Sequence, residues 1–184
     1  MLSSLFRKTR RADVGEALYA HVAAQARNPA FYTQLGVHDR IDARFELYTL
    51  HVLLLNLRLR DEDEDEGGQG GRGADAAQSL FDAYVSALDN VLRELGVSDV
   101  SVAKKMRKLG EALYGRMAAY EPPARAGDLE ALSKDLARNV HGLPDEVNDD
   151  SRALAAYALA ARAGLAQQSF EQVLKAPQWP EVAG

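Results

Sequence analysis

Three observations predict an all-α fold for this chain, a single globular helical domain of seven or eight helices with one long apolar central helix. Apolar residues recur three and four positions apart through most of the sequence. No stretch alternates apolar and polar residues as a half-buried strand would. Proline or glycine punctuates most of the periodic stretches. At 184 residues, 47% apolar and 27% charged, the chain suffices for one sizeable core. It has no internal repeat of fixed period.

The first eleven residues (MLSSLFRKTRR) combine Leu2, Leu5 and Phe6 with Arg7, Lys8, Arg10 and Arg11. They read as a basic N-terminal tail, with a short membrane-surface segment as the sharper alternative. No secretory h-region follows. The helical domain is expected over residues 12–176. Its first helix starts at Ala12 or Asp13 and places Val14, Leu18, Val22 and Ala26 on one stripe, up to Arg27. Asn28-Pro29 breaks it. A short helix then carries Phe31, Tyr32 and Leu35 and closes at Gly36. From Ile41, a third helix is apolar nearly all round between Leu50 and Leu55, which marks a central position. Its apolar run, Leu47 to Leu59, is too short for the ~20 residues of a spanning helix.

Six adjacent acids, Asp61 to Glu66, precede GGQGGRG. Mutual repulsion and glycine entropy predict an acidic, mobile loop over residues 61–73. The acids lack the alternate spacing of a calcium loop. A helix from Ala74 to Leu95 follows, with Leu80, Phe81, Tyr84, Leu88, Val91 and Leu92 on a broad apolar face, and Gly96 supplies its stop. Ser98 or Asp99 caps the next helix, which should end at Tyr120 because Pro122-Pro123 opposes continuation. Leu129, Leu132, Leu136 and Val140 form a further seam. An alanine-rich helix spans Ser151 to Ala166, a short one holds Phe170, Val173 and Leu174, and residues 177–184 read as a C-terminal tail.

Composition and motifs remove most reaction chemistry. The chain has no cysteine, which excludes disulfides, thiolate catalysis and cysteine-bound metal. Its four histidines, His21, His38, His51 and His141, are too dispersed for a helical metal site. His51 within the apolar third helix reads as a hydrogen-bonded core histidine, with haem ligation as the rival. No nucleophile elbow, phosphate loop or dinucleotide fingerprint is present. Neither an enzyme nor a cofactor is indicated.

Two surfaces remain. On the helix beginning near Ser101, Val102, Met106, Leu109, Leu113, Met117 and Tyr120 form a seam toward the core. Lys104, Arg107 and Lys108 fall roughly opposite, with Lys105 and Arg116 nearer its flank. Residues 99–117 hold five basic and two acidic side chains, a local +3 in a chain of net charge −5. This fits either a solvated helix face or a patch for an anionic partner, while the overall charge argues against a specific nucleic-acid partner. Gly110 and Gly115 within that helix suggest a close crossing by another backbone. The second surface is Arg27-Asn28-Pro29-Ala30-Phe31-Tyr32, whose aromatics suit either a recognition edge or the core.

The ordered wording resembles the ubiquinol–cytochrome c chaperone family. The matching residues are Ala26-Arg27-x-Pro29-x-Phe31-Tyr32, Leu35-Gly36-Val37-x-Asp39, Arg44-Phe45-Glu46-Leu47 and Leu50-His51. They continue through Leu80-Phe81, Leu88-Asp89, Leu92-Arg93-Glu94-Leu95-Gly96-Val97-x-Asp99 and Lys104-Lys105. The series ends with Glu111-Ala112-x-Tyr114-Gly115-Arg116 and Tyr120. His38 stands where the family often has proline, and Ala43 where it often has glycine. The resemblance implies a non-enzymatic chaperone that receives newly made cytochrome b and promotes assembly of the bc1 complex. With no clear transit peptide, this short alanine-rich chain reads as a bacterial member, expected in the cytoplasm or peripheral on the inner face of the inner membrane. A small partner protein and the ribosome are partners of mitochondrial relatives. Under that reading Phe31, Tyr32, Lys104, Lys105, Lys108, Tyr114 and Arg116 contact the client or partner. The alternative is a peripheral protein that binds anionic lipid through its basic N-terminus and basic helix face.

Overall fold

A computed structural model describes residues 2–65, 71–94, 96 and 99–183. All regular structure among them is helical. The elements are α1 (Leu2–Ala26), α2 (Ala30–Thr33), α3 (Ile41–Asp65), α4 (Arg72–Glu94) and α5 (Asp99–Ala126). They continue with α6 (Leu129–Leu136), a π-helical turn at Ala137–His141, α7 (Asp149–Ala166) and α8 (Phe170–Lys175). Leu95, Val97 and Ser98, including the Ser98 cap expected from sequence, lie outside the described residues, as do Glu66 to Gly70.

Every residue from Leu50 to Leu59 of α3 is buried, including His51, Asn56 and Arg58. α1, α4, α5, α7 and the π-helical turn all pack on α3. The polar side chains taken inside are partnered. The Asn56 amide donates to the Ala77 carbonyl at 3.1 Å. The Arg58 guanidinium donates to the Gln168 carbonyl at 2.9 Å and to Glu62 at 3.2 Å. A buried polar group left unbonded would cost more than these bonds contribute.

Among the described residues, two glycines sit where one helix meets the backbone of another. A Cβ at Gly15 would lie 2.2 Å from the Ser79 carbonyl oxygen, and one at Gly73 would lie 2.1 Å from that of Leu59. These positions let α1 and α3 approach α4 backbone to backbone. Gly110 and Gly115, expected at a close crossing, have open space where a Cβ would stand. No such crossing among the described residues uses them.

Several boundaries differ from the sequence reading. α1 begins at Leu2 rather than Ala12 or Asp13, because nothing between Leu2 and Arg11 interrupts a helix. The mobile loop expected over 61–73 is corrected at both ends, since α3 runs to Asp65 and α4 starts at Arg72. Three of the acids are spent on ordered contacts. Asp61 pairs with Arg125 at 2.9 Å and with Arg162. Glu62 pairs with Arg58 and Arg72. Asp63 is buried and accepts from the backbone N–H groups of Gly71, Gly73 and Ala74 at 3.2, 2.9 and 2.7 Å. It thereby occupies the positive N-terminal end of α4. Repulsion along the run is offset by these cations and helix N–H groups.

α5 also passes Pro122 and Pro123 and ends at Ala126. Burial of Pro123 and Ala124, together with the pairing of Arg125 to Glu121 and Asp61, holds this last turn despite the missing backbone donors. Gly127, at φ +67°, then allows the Asp128 N–H to return to the Pro123 carbonyl at 2.9 Å. The C-terminal residues are not a free tail. Gln178 exchanges two hydrogen bonds with Gln168, Trp179 meets the edge of His51 at 5.2 Å, and Val182 is buried.

Candidate functional site

α4 and α5 form an antiparallel pair whose mutual contact is incomplete. Leu80 and Tyr84 of α4, and Val102, Leu113 and Tyr120 of α5, are buried. A second apolar stripe on α4, Phe81, Val85, Leu88 and Leu92, is only half-covered. Met106, Leu109 and Met117 on α5 are likewise half-covered, so the seam expected to be core is core only in part. Tyr114 is 64% exposed and Val91 48% exposed. Tyr114 leans on Phe81 with ring centroids 5.7 Å apart. Between the helices lies a cleft of about 500 Å³, lined by apolar Phe81, Tyr114 and Met117 and by polar Asn56, Arg60, Gln78 and Glu121. Thioether and aromatic walls with small neighbours, Ala74, Ala77 and Ala118, suit adaptable contact with an apolar segment.

The basic residues of α5 divide. Lys104, Lys105 and Lys108 are exposed, and none makes an ion pair among the described residues. Arg107 lies 3.8 Å from Glu111. Arg116, expected with the partner-binding group, turns inward and donates from Nε to both carboxylate oxygens of Glu46 at 3.0 Å. The Tyr120 hydroxyl donates to the same carboxylate at 3.2 Å. Burial pushes the Glu46 carboxyl up, and Arg116 and Tyr120 oppose that rise. Arg116 is therefore committed to holding α5 on α3.

Phe31 is corrected similarly. It is fully buried, edge-on to His51 at 5.2 Å and to Tyr157 at 4.9 Å. Its apolar ring gains more from that pocket than the surface offers. Tyr32 remains half-buried in a separate region beside Arg27, Arg44 and Tyr48, and burial raises its hydroxyl pKa. The Arg27 Nε donates to the Tyr48 hydroxyl at 2.5 Å. Of the seven residues expected from sequence, the structure exposes Lys104, Lys105, Lys108 and Tyr114 on α5, half-buries Tyr32 elsewhere, buries Phe31 and pairs Arg116 with Glu46.

His51 has both ring nitrogens occupied. Nδ1–H donates to the Leu47 carbonyl at 2.7 Å, so Nε2 accepts from the Tyr157 hydroxyl at 2.9 Å. The Gln25 amide donates to the same hydroxyl at 2.9 Å. Burial pulls the His51 pKa down to about 4. These bonds fix a neutral tautomer in a structural role and leave neither nitrogen free for haem iron.

The cleft does not follow from the sequence reading, although a signal for it is present. The apolar face of α4 is wider than one helix contact requires. One side, Leu80 and Tyr84, reaches the core. On the other side Phe81 reaches the gap beside α5, while Val85 and Leu88 pack half-buried against the core. Among the described residues no cluster of His, Asp or Glu could hold a metal ion, and no helix is long and apolar enough to cross a membrane.

The class of protein these features define is a helical body that presents a partly apolar cleft and an exposed basic helix face as its candidate contact surfaces. Among curated proteins, none matches this sequence. The sequence profile of the ubiquinol–cytochrome C chaperone family matches residues 33–179. The crystal structure of the Cbp3 homolog from Brucella abortus is 31% identical, with a TM-score of 0.80 over 99% of this chain and 98% of that one. This chain belongs to the ubiquinol–cytochrome c chaperone family. It is accordingly a non-enzymatic assembly factor for the bc1 complex.

Proposed function

We propose that the chain receives newly made cytochrome b at the inner face of a bacterial inner membrane and holds one of its apolar segments in the α4–α5 cleft. The observation that carries this reading is the half-covered apolar lining of that cleft, with Phe81, Tyr114 and Met117 available to a visitor. A membrane protein outside the bilayer needs its apolar surface covered, and two helix walls can cover a third helix by side-chain packing. Family membership supports cytochrome b as the client in this reading, and the solved relative supports the same helical body.

Site-specific photo-crosslinking tests it. A photoreactive amino acid at Phe81 or Tyr114 should form an adduct with nascent cytochrome b, whereas one at exposed Ala163 on α7 should not. Equal adducts from both regions, or none from α4 and α5, would remove the cleft from the mechanism. A small partner protein or the ribosome, if recruited by this chain, would appear as additional adducts.

A further inference from the structure

We propose that the exposed lysine face of α5 is a docking surface for an anionic lipid bilayer, separate from the client cleft on the same helix. The chain has six lysines and sixteen arginines, and three of the six lysines fall at 104, 105 and 108. The arginines serve mainly intramolecular pairs. Arg44, Arg58, Arg60, Arg72, Arg93, Arg107, Arg116, Arg125, Arg152 and Arg162 each lie within 4.0 Å of a carboxylate. Lys104, Lys105 and Lys108 do not, among the described residues. The fold thus leaves a compact positive charge uncompensated on a chain whose net charge is −5.

The shape of this face selects the partner. At about 100° per residue, the three lysines span roughly 100° of the helix circumference, centred about 110° from the line of Tyr114 and Ala118 that borders the cleft. Exposed Ser101 and Gly115 share the lysine arc, and Glu111 lies about 20° outside its edge, 3.8 Å from Arg107. Nothing lies within 4 Å of the point where a Cβ would stand on Gly115, so the arc is low in relief. Arg107 and Tyr114 lie toward the cleft instead. An RNA site would recruit arginine forks and aromatic stacking platforms, and the lysine arc has neither. Flexible ammonium groups over small residues suit the diffuse negative potential of a lipid surface.

The client is the poorer match for these lysines. Segments flanking transmembrane helices on the inner side of a membrane are themselves rich in lysine and arginine, and like charges repel. This step rests on the reading of the chain as a chaperone for a membrane protein. The lysine face would then lie on the headgroups while the cleft, a third of a turn away, opens sideways just above them.

Vesicle co-sedimentation of the full chain tests the assignment, with phosphatidylcholine alone or mixed with phosphatidylglycerol. We expect sedimentation only with the anionic vesicles, reversed by salt. The K104Q/K105Q/K108Q variant should bind on the order of 100-fold more weakly, at roughly fivefold per lysine. The K134Q/K175Q control, which removes two exposed lysines elsewhere, should change binding less than about fivefold. Circular dichroism establishes that both variants fold. Equal binding to neutral vesicles, undiminished binding by the triple variant, or loss confined to an R7Q/K8Q/R10Q/R11Q variant would overturn the proposal. So would retention of single-stranded RNA by the wild-type chain without retention on anionic vesicles. Detergent-solubilised cytochrome b should still be captured by the triple variant. Selective loss of capture there would return the lysines to the client, whereas failure of the wild-type chain to capture would count against the client reading alone.

Discussion

The region around His51 and the α4–α5 pair are built from similar residues and finished in opposite ways. Around His51, the Phe31, Tyr157 and Trp179 rings close on one another, and Gln25, Leu47 and Tyr157 complete a hydrogen-bond chain. In the α4–α5 pair, Phe81 and Tyr114 meet, yet Tyr114 remains mostly exposed and the gap beside it stays open. The first region uses its aromatics to specify one packing. The second leaves apolar area uncovered and so available to another molecule. On the proposed reading stability and client handling separate spatially, and substitutions should separate them too.

The largest effect should come from Phe31→Ala. Loss of a fully buried ring should cost about 3–5 kcal/mol in urea unfolding. A loss below about 1 kcal/mol would mean that Phe31 is a surface anchor after all. Acidification should act next, through His51. Its folded pKa, about 4, lies below the ordinary value of 6.5. The unfolded chain therefore binds the proton more readily. The stability contribution is complete above pH 6.5 and is lost as the pH falls from 6.5 through 4, by about 3 kcal/mol in all. Urea midpoints measured across that window should fall more steeply in the wild type than in His51→Gln, which keeps only the contribution of groups such as His141, whose pKa burial also lowers.

Arg116→Ala should cost about 2–3 kcal/mol, below the full cost for a buried pair because Arg116 is partly exposed while Glu46 is left in the core without its cation. Glu46→Gln in the same background should recover part of that loss, a double-variant cycle that would fail if Arg116 served only a partner. The smallest stability effect belongs to Tyr114→Ala, about 0.5–1 kcal/mol, from its ring contact with Phe81. That same variant should reduce client capture several-fold, measured by co-purification of cytochrome b. If Tyr114→Ala destabilised the fold as much as Phe31→Ala did, the contrast between the two regions would collapse.

Residues with a single local consequence are legible in the sequence. Gly96 and Gly36 stop their segments at positive φ, as their positions after periodic stretches indicate. The all-round apolar character of Leu50 to Leu55 leads directly to burial. The acidic run reads as a loop because its repulsion is local, whereas its compensation by Arg125, Arg162 and the start of α4 comes from distant parts of the chain. Pro122-Pro123 fails as a stop for a related reason. Tertiary burial and the Arg125 pairs outweigh a backbone penalty that would end an isolated helix.

The sequence by itself determined the helical class, the wording that places the chain in its family, and the concentration of lysine at 104–108. These depend on residue type and spacing, which the chain carries wherever it folds. Only the tertiary structure decided which of the candidate side chains face outward. Phe31 and Arg116 share the chemistry of interface residues, but α7 stands over one and Glu46 of α3 over the other. Tyr114 is left exposed because the cleft between α4 and α5 opens beside it. Exposure is a property of neighbours far apart in the chain, and periodicity along one helix does not encode it.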